Sequence, residues 1–150
     1  MTRLNAPPIL IAEDDPDDAF LLRRTFVKAQ VANPLVFVGD GDEAIRYLSG
    51  LERFSAHEEQ PWPVVLFLDL KMPRRNGFEL LEWLREQPPF GGLPVVVLTS
   101  SREPADVTRA YELGANAYLV KPSTPNDLLA TVRGLVADGI ILSEPPEVER

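Results

Sequence analysis

Cysteine is absent from the 150 residues, histidine occurs once, and no apolar run approaches the length of a membrane span. Without cysteine there is neither a disulfide framework nor a Cys-ligated zinc site, which removes secreted mini-domains and zinc ribbons and favours a cytoplasmic setting. The one histidine, His57, stands in a polar segment between Ala56 and Glu58, reads as an exposed loop residue and is assigned no chemistry. The N-terminus carries one Arg, then Pro7 and Pro8, then a short apolar run ended by acids, so neither a signal peptide nor a membrane span is expected. A basic face is lacking too: 23 acids against 15 Lys and Arg give a net charge of −8, and the cations are scattered. That argues against a nucleic-acid binder and for proteins or small phosphorylated donors as partners. The length suits one domain with its own core.

The stretch from Val64 to Gly77, VVLFLDLKMPRRNG, organises the chain. Its five successive apolar residues read as a strand buried on both faces, with Asp69 at its end. Similar runs are Ile9 to Ala12, Leu35 to Val38, Leu93 to Leu98 and Ala117 to Val120. Helical periodicity follows each: Ala19, Leu22, Phe26 and Ala29; then Ala44, Ile45, Leu48 and Leu51; then Phe78, Leu80, Leu81 and Leu84; then Val107, Ala110 and Tyr111; and last Leu128, Val132, Leu135 and Val136. Asp15-Pro16 and Thr124-Pro125 read as helix starts, with Asp17 and Asp18 set against the helix dipole, and Gly114 as a helix stop. Unbroken apolar strands alternating with helices predict an α/β fold, a doubly wound five-stranded parallel sheet with five helices. The domain is expected over residues 1–138, with 139–150 as a C-terminal tail.

In such a sheet the residues just past the strand ends share one crevice. Strand one delivers Glu13 and Asp14, strand three Asp69, strand four Thr99 and strand five Lys121. Singly, Asp69 could cap a turn, Thr99 could be turn chemistry and Lys121 an ordinary surface lysine; their convergence makes them a site. Three crowded carboxylates with no His or Cys call for a hard cation, with Mg²⁺ the natural choice. A metal, a hydroxyl and a lysine around Asp69 suit that carboxylate as a nucleophile toward a phosphoryl group. Lys71, Arg74 and Arg75 read as a solvated loop rather than an anion clamp.

In the order IAEDD, LDLKMPRRNG, VVVLTS and AYLVKP, with 30 residues from Asp69 to Thr99 and 22 from Thr99 to Lys121, the chain resembles the receiver domain of two-component response regulators from about Ile9 to Val136. The resemblance implies a flavodoxin-like (β/α)5 fold and a phosphoacceptor signalling domain rather than an enzyme, with only self-catalysed phosphotransfer and autodephosphorylation. Carried over residue by residue, it makes Asp69 the phosphoacceptor and Asp14 a direct metal ligand. Glu13 would be a ligand through water, and Lys71 would lend a backbone carbonyl. Thr99 and Lys121 would bind the phosphoryl group, Thr99 and Tyr118 would switch, and the Lys121-Pro122 peptide would be cis. The fourth helix, fifth strand and fifth helix would report the change to a protein partner.

Two departures matter. Glu13 replaces the commoner aspartate, and the segment before the third strand is about a dozen residues longer than in a minimal receiver. That length, EDDPDD, the DLKMPRRNG loop and the short tail are similar to the small response regulators of bacterial phytochromes, which implies a sensor histidine kinase of that kind as partner. It also implies a homodimer arm at Ile140 to Leu142. The competing reading is a phosphatase or phosphotransferase of a small metabolite using the same aspartyl-phosphate chemistry. Enzymes of the haloacid dehalogenase type place an acid–base aspartate two residues after the nucleophile; Lys71 stands there.

Overall fold

The computed structural model describes residues 7–53 and 62–139. His57 and the Ile140 to Leu142 patch lie outside them. The elements run β1 (Ile9–Ala12), α1 (Pro16–Lys28), β2 (Leu35–Val38), α2 (Gly41–Arg53), β3 (Val65–Leu68), α3 (Gly77–Arg85), a 3-10 turn at Pro88–Phe90, β4 (Val95–Thr99), α4 (Pro104–Glu112), β5 (Ala117–Val120) and α5 (Pro125–Ala137). All strand pairs are parallel, in the order β2-β1-β3-β4-β5. The expected fold class is observed. Two strands start later than their apolar runs, at Val65 rather than Val64 and at Val95 rather than Leu93. Pro94 has no N–H to give a ladder, although its carbonyl accepts from Leu66 at 2.9 Å.

Each apolar strand feeds two cores, because successive side chains leave opposite faces of the sheet. Leu10, Leu66, Leu68, Val95 and Val97 face Ala44 and Leu48 of α2, Leu80, Leu81 and Leu84 of α3, and Ala110 of α4. Ile9, Ile11, Val65, Phe67, Val96 and Leu98 face Leu22 and Phe26 of α1 and Leu128, Val132 and Leu135 of α5. Phe26 and Phe67 meet edge to face, centroids 5.4 Å apart, which adds about 0.5–1.5 kcal/mol beyond their burial. On α4 the buried stripe is narrower than its spacing predicts: Ala110 is buried, Val107 half-buried, and Tyr111 48% exposed. No helix among the described residues is long and apolar enough to cross a membrane.

Candidate functional site

The strand ends converge because the parallel ladder continues one residue beyond each strand. Glu13 N–H donates to the Val38 carbonyl at 2.9 Å, Asp69 N–H to the Ala12 carbonyl at 3.1 Å, and Lys121 N–H to the Thr99 carbonyl at 2.7 Å. Backbone bonds thus set the origin of each side chain before any side-chain contact is made. On the far side of Asp69, the Gly77 N–H donates to the Leu70 carbonyl at 3.0 Å and closes the loop from Lys71 to Asn76. A β-carbon at Gly77 would lie 2.6 Å from the Asp69 carbonyl oxygen, so only glycine lets α3 start this close to the site. Asn76 and Glu79 form a capping box that fixes the helix start.

Glu13, Asp14 and Asp69 each offer a carboxylate oxygen within 4.8 Å of the others; Glu13 and Asp69 are buried and Asp14 is exposed. Lys121 reaches into this cluster, its Nζ 2.8 Å from Glu13 Oε1 and 3.0 Å from Asp69 Oδ2. Burial pushes the Glu13 carboxyl up to about 7, with the Asp69 charge adding to it, although hydrogen bonds from Lys121 and from the Asp15 amide pull the other way. For Lys121 burial works against the charge, but hydrogen bonds to Asp18, Glu13 and Asp69 outweigh it and raise its pKa, so it stays an ammonium. An all-oxygen donor set with excess negative charge fits a hard divalent cation.

Thr99 is fully buried at the end of β4, and its hydroxyl oxygen accepts a long bond, 3.4 Å, from the Ser101 amide. Tyr118 is half-buried against the α2–α3–α4 core and donates its hydroxyl to the Ser101 carbonyl at 3.1 Å. The hydroxyl is therefore engaged by the β4–α4 loop. Lys71 is exposed, and its N–H donates to Asp69 Oδ1 at 3.2 Å, wrapping the loop around that carboxylate.

One expectation is corrected. No peptide among the described residues is cis, so the Lys121-Pro122 bond is trans. Trans is favoured by about 0.5–1 kcal/mol before any tertiary contact acts, and Lys121 reaches both buried carboxylates from the trans bond.

Sequence reasoning missed two features. Asp18, read only as a helix-dipole residue, places Oδ2 2.6 Å from Lys121 Nζ. Arg74 and Arg75 are solvated as expected, but the pairs they make with Asp40 at 2.6 Å and Asp42 at 2.7 Å, which strap the loop after β3 to the start of α2, went unread. For Arg74 and Arg75 the hint lay in the two aspartates of GDGDE; for Asp18 the sequence held no signal, since the first-turn dipole already accounted for it.

The family model described as response regulator receiver domain matches residues 9–133. Response regulator Rcp1 of Synechocystis sp. is 34% identical over 131 residues, which cover 86% of this chain and 87% of Rcp1. The crystal structure of the Mn(2+)-bound form of Rcp1 superposes with a TM-score of 0.76 at 31% identity, over 93% of this chain and 99% of that one. The phosphorylated cyanobacterial phytochrome response regulator RcpA gives 0.79 at 27% identity, over 95% and 99%. The bacteriophytochrome response regulator AtBRR gives 0.73 at 38% identity, again over 95% and 99%.

Proposed function

The chain belongs to the response regulator receiver domain family, a family of signalling domains rather than classical enzymes, and on that premise we propose that Asp69 accepts a phosphoryl group from a sensor histidine kinase. The observation that carries this reading is the setting of Asp69. It is 7% exposed at the end of β3, with Glu13 and Asp14 oxygens within 4.8 Å and the Lys121 ammonium at 3.0 Å.

An Asp69 carboxylate oxygen attacks the phosphorus of a phosphoimidazole, the P–N bond breaks, and its electron pair returns to the imidazole nitrogen. Thr99 donates its hydroxyl to a phosphoryl oxygen and Lys121 pairs with another, offsetting the charge that spreads over the equatorial oxygens. Asp14 and Asp69, with the Lys71 carbonyl and Glu13 beside them, would hold a divalent cation such as Mg²⁺, which would supply further neutralisation of that charge. Attack by water on the acyl phosphate returns Asp69 to a carboxylate and ends the signal. Thr99 and Tyr118 both contact Ser101, so movement of Thr99 toward the phosphoryl group reaches Tyr118 and the α4–β5–α5 face. That face would be read by a protein partner. Likeness to RcpA and AtBRR, phytochrome response regulators both, supports a bacteriophytochrome as the kinase; we propose further that the chain works in the cytoplasm as a homodimer joined through its C-terminal tail.

A metabolite phosphatase is not favoured, because Lys71 occupies the place of the acid–base aspartate and is exposed. The test is labelling by acetyl phosphate and by candidate histidine kinases with Mg²⁺, read by intact mass. Wild type should gain one phosphoryl group and Asp69→Asn none. Retained labelling in Asp69→Asn would refute the acceptor, and no labelling of wild type from any donor would refute the function.

A further inference from the structure

Neither the carboxylate cluster nor the phosphoacceptor requires Asp18, which lies outside Glu13, Asp14 and Asp69. Yet its Oδ2 makes the shortest contact to Lys121 Nζ, 2.6 Å against 2.8 Å to Glu13 and 3.0 Å to Asp69. An ammonium has three donors, so these three acceptors use all of them. The lysine side chain is 18% exposed, and packing closes around only part of it. A cavity of about 50 Å³ lined by Asp18, Leu21, Leu22, Leu98, Lys121, Pro122 and Leu128 opens beside the ammonium, so one side of it has room to move and the hydrogen bonds help set where it sits.

Two of those bonds change when the site works. A cation drawn to Glu13 and Asp69 competes with the ammonium for their charge, and a phosphoryl group on Asp69 claims a lysine donor. Asp18 takes part in neither event. It stands in the first turn of α1, a helix whose N-cap is fixed by the bond from Asp17 N–H to Asp15, and the side chain of Asp18 is 34% exposed. We propose that Asp18 is a positioning residue whose carboxylate holds the Lys121 ammonium beside Asp69 while metal and phosphoryl group arrive. This rests on the reading of Asp69 as phosphoacceptor. The lysine then meets the phosphoryl oxygens without searching its rotamers, which lowers the entropic part of the barrier.

The experiment measures the phosphorylation rate of the full chain by acetyl phosphate across donor concentrations at saturating Mg²⁺. It compares wild type, Asp18→Ala and Asp18→Asn, and repeats the alanine change in a Lys121→Ala background. The rate at saturating donor should fall about three- to tenfold in Asp18→Ala, well inside the hundredfold that an ångström of misplacement can cost. Asp18→Asn keeps an oxygen acceptor in place and should recover most of the rate. In the Lys121→Ala background the Asp18 change should have no further effect, because Asp18 acts through the lysine.

An Asp18→Ala rate equal to or above wild type overturns the proposal, and so does a loss of the same size without Lys121. Wild type that takes up no phosphate removes the phosphoacceptor reading itself. Normal labelling of wild type beside an equally fast Asp18→Ala removes this inference alone.

Discussion

The amide of Gly41 donates to the carbonyl oxygen of Arg75 at 2.9 Å, joining the first residue of α2 to the loop that follows Asp69. A β-carbon at Gly41 would lie 2.5 Å from that oxygen and 2.6 Å from the Arg75 Cβ, so backbone has to move to admit one. Gly41→Ala should therefore destabilise the fold by about 1–3 kcal/mol despite alanine's better helix propensity. Urea denaturation should show this as a lower midpoint with an unchanged slope, and a midpoint equal to wild type would mean that the loop yields freely.

Beside that contact, the buried carboxylate of Asp40 accepts from the Glu43 amide at 2.8 Å and from Arg74 Nε at 2.6 Å. The amide bond and then the guanidinium hold its pKa below the usual carboxylate range, against the opposing effect of burial. A depressed folded pKa contributes stability above the unfolded value of about 3.9, and that stability is lost as pH falls through the folded value. Asp40→Ala should cost about 1–2 kcal/mol at pH 7, the usual worth of a helix cap, and the gap to wild type should close as the pH drops below about 4. A gap independent of pH would assign the loss to packing instead.

The strands and most helices were legible because their signals are local. Apolar runs such as Ile9 to Ala12 admit one burial pattern, and Asp15-Pro16 and Thr124-Pro125 mark helix starts by cap chemistry that needs no tertiary partner. The site was legible because topology alone brings parallel strand ends to one edge. The Lys121 to Asp18 bond spans 103 residues, and first-turn acids already have a local explanation, so nothing in the sequence singled Asp18 out. The Arg74 and Arg75 pairings depend on how two neighbouring loops close, 34 and 33 residues apart in the chain. Pro122 could not be settled from the chain itself, because the two isomers differ by only about 0.5–1 kcal/mol.

Ser101 caps α4 from outside the helix. Glu103, at the N-cap position, makes no side-chain cap bond; instead its amide donates to the Ser101 hydroxyl at 3.3 Å, and that hydroxyl donates to Asp106 Oδ2 at 2.6 Å. Ser101→Ala should fray the first turn of α4, at a cost of about 1–2 kcal/mol. Hydrogen exchange should then be faster at the amides from Glu103 to Val107 than in wild type, with α5 unaffected. Equal protection across α4 would show that the hydroxyl carries no capping role.

Glu13 ties stability to both pH and metal. Its carboxyl, 6% exposed, is pushed up to about 7 by burial first and by the Asp69 charge after it. Between the unfolded value of about 4.3 and 7, the folded protein holds a proton that the unfolded chain has released. Stability therefore falls as pH rises through this window, at up to about 1.4 kcal/mol per pH unit from this group. Glu13→Gln cannot ionise, so in chelator it should match wild type near pH 4.5 and exceed it at pH 8. A divalent cation binds the ionised cluster and should restore wild type most at pH 8 and least at pH 5. Urea titrations across that range, with chelator and with Mg²⁺, measure both effects. Curves for wild type and Glu13→Gln that run parallel in chelator would show that Glu13 ionises as readily in the folded chain as in the unfolded one.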